Sequence, residues 1–212
     1  EMTDFKGKSV IITGASRGIG AAAARAFAAA GAHVALAARS VDAIRDIAQD
    51  ITNAGGSATY HPCDVARWDA VQSLFAATLS TSGTPDLLIN NAGLIDPIAR
   101  LADSTPADWS KVMDVNINGV YHGLRAALPH MEKAGKGTII NISSGAATSA
   151  LEGWSHYCAS KAAVLSLTRC ADVEYRSAGL RIMGLSPGTV ATQMQEQIRA
   201  SGINPVSKLP TD

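Results

Sequence analysis

The sequence has 212 residues, of which 47% are hydrophobic and 17% are charged, and this length suffices for one sizeable domain with its own core. Basic and acidic residues number 18 each, a balance that favours neither nucleic acid nor an anionic membrane as a partner. No run of about 18 apolar residues occurs, so we expect no transmembrane helix and no membrane association. The first residues also lack the apolar core of a secretory signal.

The three cysteines are Cys63, Cys158 and Cys170. Their number is odd, none forms a C-x-x-C pair, and no histidine lies near them at the spacing of a metal site. We therefore predict reduced thiols, no metal site and a cytoplasmic location.

Short apolar runs alternate with segments of helical length along the chain. The apolar runs predict strands at 9–15, 33–38, 57–64, 86–93, 137–144 and 181–188. The segments between them predict helices at about 18–30, 41–54, 67–81, 106–134 and 156–178. Most of the strand runs are apolar at consecutive positions, as expected for strands covered on both faces. The pattern predicts an α/β fold with a doubly wound parallel sheet, helices on both faces, and a single domain over residues 1–212.

Each strand run ends in polar or glycine-rich residues, at the edge where open α/β sheets bind ligands. The most distinctive ending is TGASRGIG at 13–20, which follows the first strand and opens a helix. Its glycines allow a tight turn, and the helix N-terminus offers N–H groups to a pyrophosphate. The spacing G-x-x-x-G-x-G differs from the common G-x-G-x-x-G. The residues predicted to hold a dinucleotide here are Gly14, Ser16, Arg17, Gly18, Ile19 and Gly20.

The end of the second strand favours NADP(H) over NAD(H). An acid there would bind the ribose 2′-hydroxyl of NAD, but the sequence has Ala38 followed by Arg39 and Ser40. Arg39 and Arg17 together suit a 2′-phosphate, although both would also be ordinary as solvated surface residues. Asp64 and the neighbouring Val65 end the third strand and are predicted to contact the adenine.

Tyr157 and Lys161 are four residues apart on a predicted helix, so their side chains share one face. In YCASKAAVLSLT (157–168) this lysine is the only charged residue, and a buried ammonium needs a reason. A nearby ammonium is expected to lower the pKa of the phenol and suit it to general acid/base catalysis. Taken alone, the pair also fits a surface lysine beside a core tyrosine.

Two further polar residues are candidates for the same site. Ser144 closes the fifth strand and is placed to bind a substrate carbonyl. Asn116 falls on an apolar helical stripe that includes Val112, Tyr121 and Leu124. A buried amide must find partners, so Asn116 is either a satisfied structural residue or one that breaks or hydrates its helix near Lys161.

With these motifs assembled, the chain resembles the short-chain dehydrogenase/reductase family in its compact single-domain form, which has a Rossmann fold. The matching pieces run in family order from residue 9 to about 192: TGASRGIG, Asp64, NNAG at 90–93, NING with Asn116, Ser144, YCASK and PGTVAT at 187–192. The resemblance implies that Tyr157 transfers the proton, Lys161 binds the nicotinamide ribose, Ser144 orients the substrate and Asn116 supports a proton relay. It also implies cofactor contacts by Asn90, Asn91, Ala92, Gly93, Pro187, Gly188, Val190 and Thr192.

The leading hypothesis is therefore an oxidoreductase that transfers a hydride between NADP(H) and a small-molecule carbonyl or alcohol. A nucleotide-sugar epimerase or dehydratase is disfavoured by the glycine spacing and the short chain. A non-catalytic NADP(H) sensor on the same fold would have little need for the four catalytic candidates together.

The substrate pocket and the assembly are less constrained by the sequence. Ala146, Ala147, Leu151 and Trp154 are predicted to line the pocket, although Trp154 would serve equally well in packing. We expect 193–212 to form a substrate lid. The family's last strand has no counterpart after it, so either the sequence is incomplete at its C-terminus or that strand is absent. The smooth faces of the helices at 106–134 and 156–178 predict a homodimer or homotetramer.

Overall fold

The computed structural model describes residues 4–188 and 193–203. A six-stranded sheet forms its centre, and all five strand pairs are parallel, in the order β3-β2-β1-β4-β5-β6. This arrangement confirms the predicted doubly wound α/β fold. The strands are β1 (Ser9–Thr13), β2 (His33–Ala38), β3 (Ser57–Pro62), β4 (Leu87–Asn90), β5 (Gly137–Ile142) and β6 (Leu180–Leu185).

Helices cover both faces of the sheet, and each predicted helix is present. They are α1 (Gly18–Ala29), α2 (Val41–Asn53), α3 (Trp68–Ser82), α4 (Pro106–Met113), α5 (Gly119–Ala134), α6 (Ser155–Tyr175) and α7 (Gln193–Ser201). One buried cluster packs α1 and α2 on one face, and another packs α3, α5 and α6 on the opposite face. The helix α7 lies in the segment that the sequence predicted only as a lid.

Burial explains why the strand runs read as continuous apolar segments. Every residue of β1 and β4 is buried, because both strands lie in the middle of the sheet. The edge strand β6 is different: Leu180 and Ile182 face the core, while Met183 and Leu185 are exposed. The reversal of strand order between β1 and β4 opens a crevice at their carboxyl ends, as expected for this topology.

The predicted helix 106–134 contains a π-helical turn, Asp114–Asn118, between α4 and α5. This π turn contains one residue more than a turn of α-helix. The buried face of the helix therefore passes through Val112, Asn116 and Val120. The predicted stripe is therefore wrong at Tyr121, which is 49% exposed. Such π turns frequently occur at functional sites.

Asn90, the last residue of β4, lies beneath the sheet edge rather than in the crevice. Its Nδ2 donates to Asn141 Oδ1 at 2.9 Å, and Asn141 Nδ2 donates to Thr168 Oγ1 at 2.9 Å. This contradicts the expected cofactor contact of Asn90 and gives it a structural role in joining β4, β5 and α6. Gly123 of α5 leaves room for the Asn90 side chain, because a Cβ on Gly123 would lie 2.2 Å from Asn90 Oδ1.

We expect Gly123→Ala to lower the free energy of unfolding by about 2 kcal/mol, since the new methyl group overpacks the contact with Asn90. Urea denaturation measures this change. Gly145→Ala is the control, because a Cβ at Gly145 meets no atom within 4 Å. Equal stability of Gly123→Ala and the wild type would show that Asn90 moves aside without cost.

Within the described residues, no helix has the length and apolar character needed to cross a membrane.

Candidate active site

A cleft of about 970 Å³ lies at the carboxyl ends of the strands. It brings together most of the residues predicted for the site, from the glycine turn at one end to the Tyr157 region at the other. The predicted residues that line it are Gly14, Ser16, Arg17, Gly18, Ile19, Arg39, Ser40, Asp64, Val65, Asn91, Ala92, Gly93, Ser144, Tyr157, Lys161, Pro187 and Gly188. Gly20 and Asn116 are not among the lining residues, and Val190 and Thr192 lie outside the described residues.

The glycine turn has the conformation that its sequence predicted. Gly14 and Gly18 have φ angles of 62° and 54°, in the region that favours glycine. Gly20 is required for close packing instead, because its Cβ would lie 2.3 Å from the Gly14 carbonyl oxygen. Helix α1 begins with no side-chain cap and with no acidic residue in its first turn. Its first N–H groups therefore remain suited to an anion bound in the cleft.

Thr13 fixes the floor of this turn, a role that the sequence pattern did not indicate. Its side chain is buried, and its Oγ1 accepts hydrogen bonds from the backbone N–H groups of Asn91 and Ala92 at 3.0 and 3.2 Å. Asn91 Nδ2 in turn donates to the Gly14 carbonyl at 3.0 Å. These bonds tie the end of β1 to the segment after β4. A buried threonine at a strand end is the only sequence signal for this role.

The segment after β3 is fixed from below by α5. Asp64 Oδ1 accepts from the Ala66 N–H at 3.0 Å, and His122 Nδ1 lies 2.7 Å from the Val65 carbonyl oxygen. Gly119 allows this approach, because a Cβ there would lie 2.6 Å from Val65 Cγ2. His122 and Gly119 therefore position the backbone that was predicted to contact an adenine. Nothing in the sequence pattern singled out either residue.

Asn116 lies in the π-helical turn and is almost fully buried. Its Oδ1 accepts from the Leu94 N–H at 2.7 Å, while its Nδ2 donates to the Leu94 carbonyl at 2.8 Å and to Ser160 Oγ at 3.0 Å. The side-chain amide is thus satisfied by protein groups, as in the structural alternative. Gly93 lies between this amide and Lys161: its Cβ would be 3.6 Å from Asn116 Oδ1 and 3.9 Å from Lys161 Nζ.

Tyr157 and Lys161 are both buried on α6 and both line the cleft. Lys161 Nζ lies 5.6 Å from the centroid of the Tyr157 ring and donates to the Ile142 carbonyl at 2.9 Å. Ser144 Oγ accepts from the Ala146 N–H at 3.1 Å and is hydrogen-bonded to the Tyr157 hydroxyl. The predicted alignment of phenol, ammonium and serine is therefore present in one place.

The electrostatics differ from the sequence prediction. Burial is the largest cause of a raised pKa at Tyr157, the hydrogen bond with Ser144 opposes it, and Cys158 adds to it. The prediction that Lys161 lowers the pKa of Tyr157 is wrong for this arrangement. Burial instead lowers the pKa of Lys161 to about 8, because its ammonium is desolvated.

Helix α7 lines the Tyr157 end of the cleft with polar as well as apolar residues, among them Glu196, Gln197 and Ile198. Ile198 of α7 is 2% exposed and packs in a cluster with Ile95, Ala146, Trp154 and Tyr157. Of the residues predicted to line this end, Ala146, Leu151 and Trp154 do so, whereas Ala147 is not among the lining residues.

The residues of this cleft fit a nicotinamide dinucleotide. The uncapped N-terminus of α1 and the glycine turn suit a pyrophosphate. The Lys161 ammonium is fully buried but has only the Ile142 carbonyl as a hydrogen-bond acceptor among the described residues. An ammonium has three N–H donors, so ribose hydroxyls would supply the acceptors that the protein does not.

Comparison with known proteins agrees with this geometry. Residues 8–202 match the family model described as short chain dehydrogenase. The chain belongs to the short-chain dehydrogenase family. It is therefore an oxidoreductase by family, with the nucleotide-binding Rossmann fold of that family.

Relatives within the short-chain dehydrogenase family act on chemically different substrates. The chain is 37% identical over 200 residues to 3beta-hydroxysteroid dehydrogenase 1 of Eggerthella lenta. The aligned region covers 92% of this chain and 75% of the relative. It is 39% identical over 189 residues to 2-(R)-hydroxypropyl-CoM dehydrogenase of Xanthobacter autotrophicus. This alignment covers 88% of this chain and 76% of the relative.

Two solved structures of the same family share the fold. A metagenomic short-chain oxidoreductase in complex with NADP superposes with a TM-score of 0.84 at 38% identity, covering 89% of this chain and 85% of the other. A short-chain type dehydrogenase/reductase from Mycobacterium marinum gives a TM-score of 0.88 at 36% identity, covering 93% and 78%.

The burial of Lys161 predicts an unusual dependence of stability on pH. Its pKa is about 8 in the folded chain and has the ordinary value of 10.5 in the unfolded chain. Below pH 8 the lysine is protonated in both states, so the cost of burying the charge is fully present. Between these values the unfolded chain binds more protons, and stability therefore rises with pH.

We expect the free energy of unfolding of the wild type to rise relative to that of Lys161→Met by up to about 3 kcal/mol between pH 7.5 and pH 10. Urea denaturation at several pH values measures this difference. Lys111→Met, at an exposed position on α4, should follow the wild type at every pH. A difference between wild type and Lys161→Met that does not change with pH would contradict the burial of a charged lysine.

Proposed function

We propose that this chain is an NADP(H)-dependent carbonyl reductase or alcohol dehydrogenase with Tyr157 as its general acid and base. The observation that carries the proposal is the position of the Tyr157 phenol and the Lys161 ammonium in the same cleft as the glycine turn. A proton-transferring group and a dinucleotide site are the two parts that this reaction requires.

The protonation states support reduction of a carbonyl at neutral pH. Because the pKa of Tyr157 is raised, its hydroxyl carries the proton that a carbonyl oxygen must receive. The single O–H of Ser144 is hydrogen-bonded to the Tyr157 oxygen in the structure, and it turns to the carbonyl oxygen when a substrate binds, while Lys161 binds the cofactor ribose. The nicotinamide, when bound, supplies or accepts the hydride. In the reverse direction Tyr157 must lose its proton, so alcohol oxidation is favoured at alkaline pH.

The preference for NADP(H) rests on Arg39. Ala38, which ends β2, offers no carboxylate for a ribose 2′-hydroxyl, and Arg39 lines the cleft directly after it. Arg39 is exposed and forms no ion pair within the part of the chain that the structure describes. Arg17, in the glycine turn, also lines the cleft. The related structure in complex with NADP supports the same choice.

The proposal also covers the domain, the substrate lid, the location and the assembly. Residues 1–212 form one dinucleotide-binding and catalytic domain, in which Gly20, Val190 and Thr192 complete the cofactor site. Within the segment 193–212 that the sequence predicts as a substrate lid, α7 is the described part, and residues 204–212 lie outside the described residues. The protein acts on a small-molecule carbonyl or alcohol in the cytoplasm as a homodimer or homotetramer, and binds neither nucleic acid nor membrane.

The deciding experiment is the loss of NADPH absorbance with a panel of ketones and diketones, together with NADPH binding measured by fluorescence. Turnover of a carbonyl compound supports the reductase. Tight NADPH binding with no turnover of any carbonyl or alcohol would favour a sensor, and conversion of a nucleotide sugar would favour the epimerase class.

We expect Tyr157→Phe to reduce kcat by about 10²-fold or more, because it removes the transferable proton. The dissociation constant for NADPH should remain within about twofold, since Phe keeps the ring that packs on Trp154. Tyr60→Phe, on the exposed face of β3, is the matched control. Retained turnover in Tyr157→Phe would assign the proton to another group.

We expect Arg39→Ala to raise the dissociation constant for NADPH about 10- to 100-fold and to leave that for NADH nearly unchanged, because a charge-assisted bond to the 2′-phosphate is lost. Fluorescence titration with both cofactors measures the two constants. Arg45→Ala is the control, since Arg45 is an exposed arginine on α2 that pairs with Asp42 at 2.8 Å. An equal loss for both cofactors would place the 2′-phosphate elsewhere.

A further inference from the structure

The segment after β4 forms one wall of the cleft, and two side chains from different helices hold its backbone. Leu94, Ile95 and Asp96 line the cleft. From the π-helical turn, the Asn116 side chain binds both polar groups of Leu94. From α6, His156 Nε2 is hydrogen-bonded to the Ile95 carbonyl oxygen. A carbonyl oxygen only accepts hydrogen bonds, so His156 Nε2 carries the hydrogen.

His156 is a buried imidazole that neither the proton transfer nor the cofactor site uses. It directly precedes Tyr157 in the first turn of α6. Ile95, whose carbonyl it binds, packs in the same apolar cluster as Tyr157. One hydrogen bond therefore ties the wall of the cleft to the helical turn that carries the phenol. A buried carbonyl outside regular structure must find a donor, and His156 provides one.

The same two segments are also tied at positions farther along the chain from Tyr157. The Ala99 N–H donates to the Gly153 carbonyl at 3.1 Å, and Arg100 pairs with Glu152 at 3.3 Å. Both side chains of the ion pair are exposed, so this pair contributes little. Of these three ties, the one made by His156 is the closest in sequence to the phenol.

We propose that His156 is a positioning residue for the substrate. Its hydrogen bond holds the wall formed by 94–96 at a fixed distance from the Tyr157 hydroxyl, so that a substrate packed on this wall presents its carbonyl to that hydroxyl. Without the bond the Ile95 carbonyl would be buried and unpaired, which favours movement of the wall toward water. The inference rests on the proposed function for the reaction, whereas the position of the wall can be measured without turnover.

The kinetic test compares His156→Gln with His156→Met. Gln and Met side chains have nearly the same length and shape, but only Gln keeps an N–H donor. We expect the KM for acetophenone to be about tenfold higher in His156→Met than in His156→Gln, with kcat within about threefold. The dissociation constant for NADPH should agree within about twofold between the variants, because Thr13 and His122 hold the cofactor end of the cleft.

Gly123→Ala is the control for lowered stability, because its new methyl group meets Asn90 and Gly123 does not line the cleft. Its KM for acetophenone should stay within about twofold of the wild-type value. Equal KM values in His156→Gln and His156→Met would overturn the proposal. A rise in His156→Met that Gly123→Ala matches would overturn it as well, since lowered stability would then explain both.

Hydrogen–deuterium exchange read by mass spectrometry covers the case in which no ketone is turned over. The amides of Leu94 and Ala99 are hydrogen-bonded and therefore report opening of the wall. Peptides that span 94–99 should exchange about tenfold faster in His156→Met than in His156→Gln. In that case equal exchange would overturn the proposal, whereas faster exchange in His156→Met would overturn only the proposed reaction.

An NMR measurement on the wild type covers the case in which His156→Met folds poorly. The chain has five histidines, and the ring signals of His156 in protein labelled with ¹⁵N-histidine are those that disappear in His156→Gln. We expect an Nε2–H that exchanges slowly with water, as a buried donor should. A ring that carries its hydrogen on Nδ1 alone, or an Nε2–H that exchanges rapidly, would overturn the proposal.

Discussion

The hydrogen bond from the Lys161 ammonium to the Ile142 carbonyl holds the candidate site together. It joins α6 to the end of β5, and it places a buried charge where the described residues offer a single acceptor. Because desolvating an ammonium is costly, this lysine is a poor choice for stability alone. A ligand that completed the hydrogen bonding of this ammonium would explain its position. Gly93 lies beside it without a side chain, and Tyr157 packs one helical turn away.

The other parts of the site are held by side chains that bond to backbone rather than to each other. Thr13 binds the N–H groups of Asn91 and Ala92, Asn116 binds both polar groups of Leu94, and His122 contacts the Val65 carbonyl. Strand ends in a parallel sheet carry unpaired peptide groups, and each of these must find a partner when it is buried. A few polar residues thus fix the loops that form the wall of the cleft. Small side chains and backbone groups form the surface of that wall.

Much of the fold and most of the lining of the cleft could be predicted from the sequence. Strands covered on both faces appear as apolar runs, and parallel topology sends their polar ends to a common edge, so residues such as Asp64 and Ser144 were found by position alone. The missed residues act on the backbone of distant segments. Thr13 and His122 are ordinary residue types, and their partners lie 57 or more positions away in the chain. Asn90 was misassigned for a related reason: its side chain alternates to the opposite face of the sheet from that of Asn91, which the run of polar letters does not show.

The π-helical turn at Asp114–Asn118 has a consequence for how this helix tolerates insertions and deletions. An α-helix advances about 100° per residue, and a π turn accommodates one extra residue within an otherwise continuous helix. Deleting one residue from this turn would restore regular α-helix and leave α4 and α5 with the same faces toward the core, because the turn absorbs the extra residue. The deletion would change the turn itself, which carries Asn116. Inserting one further residue would instead rotate α4 by about 100° relative to α5, and Val112, which is fully buried, would turn away from the core.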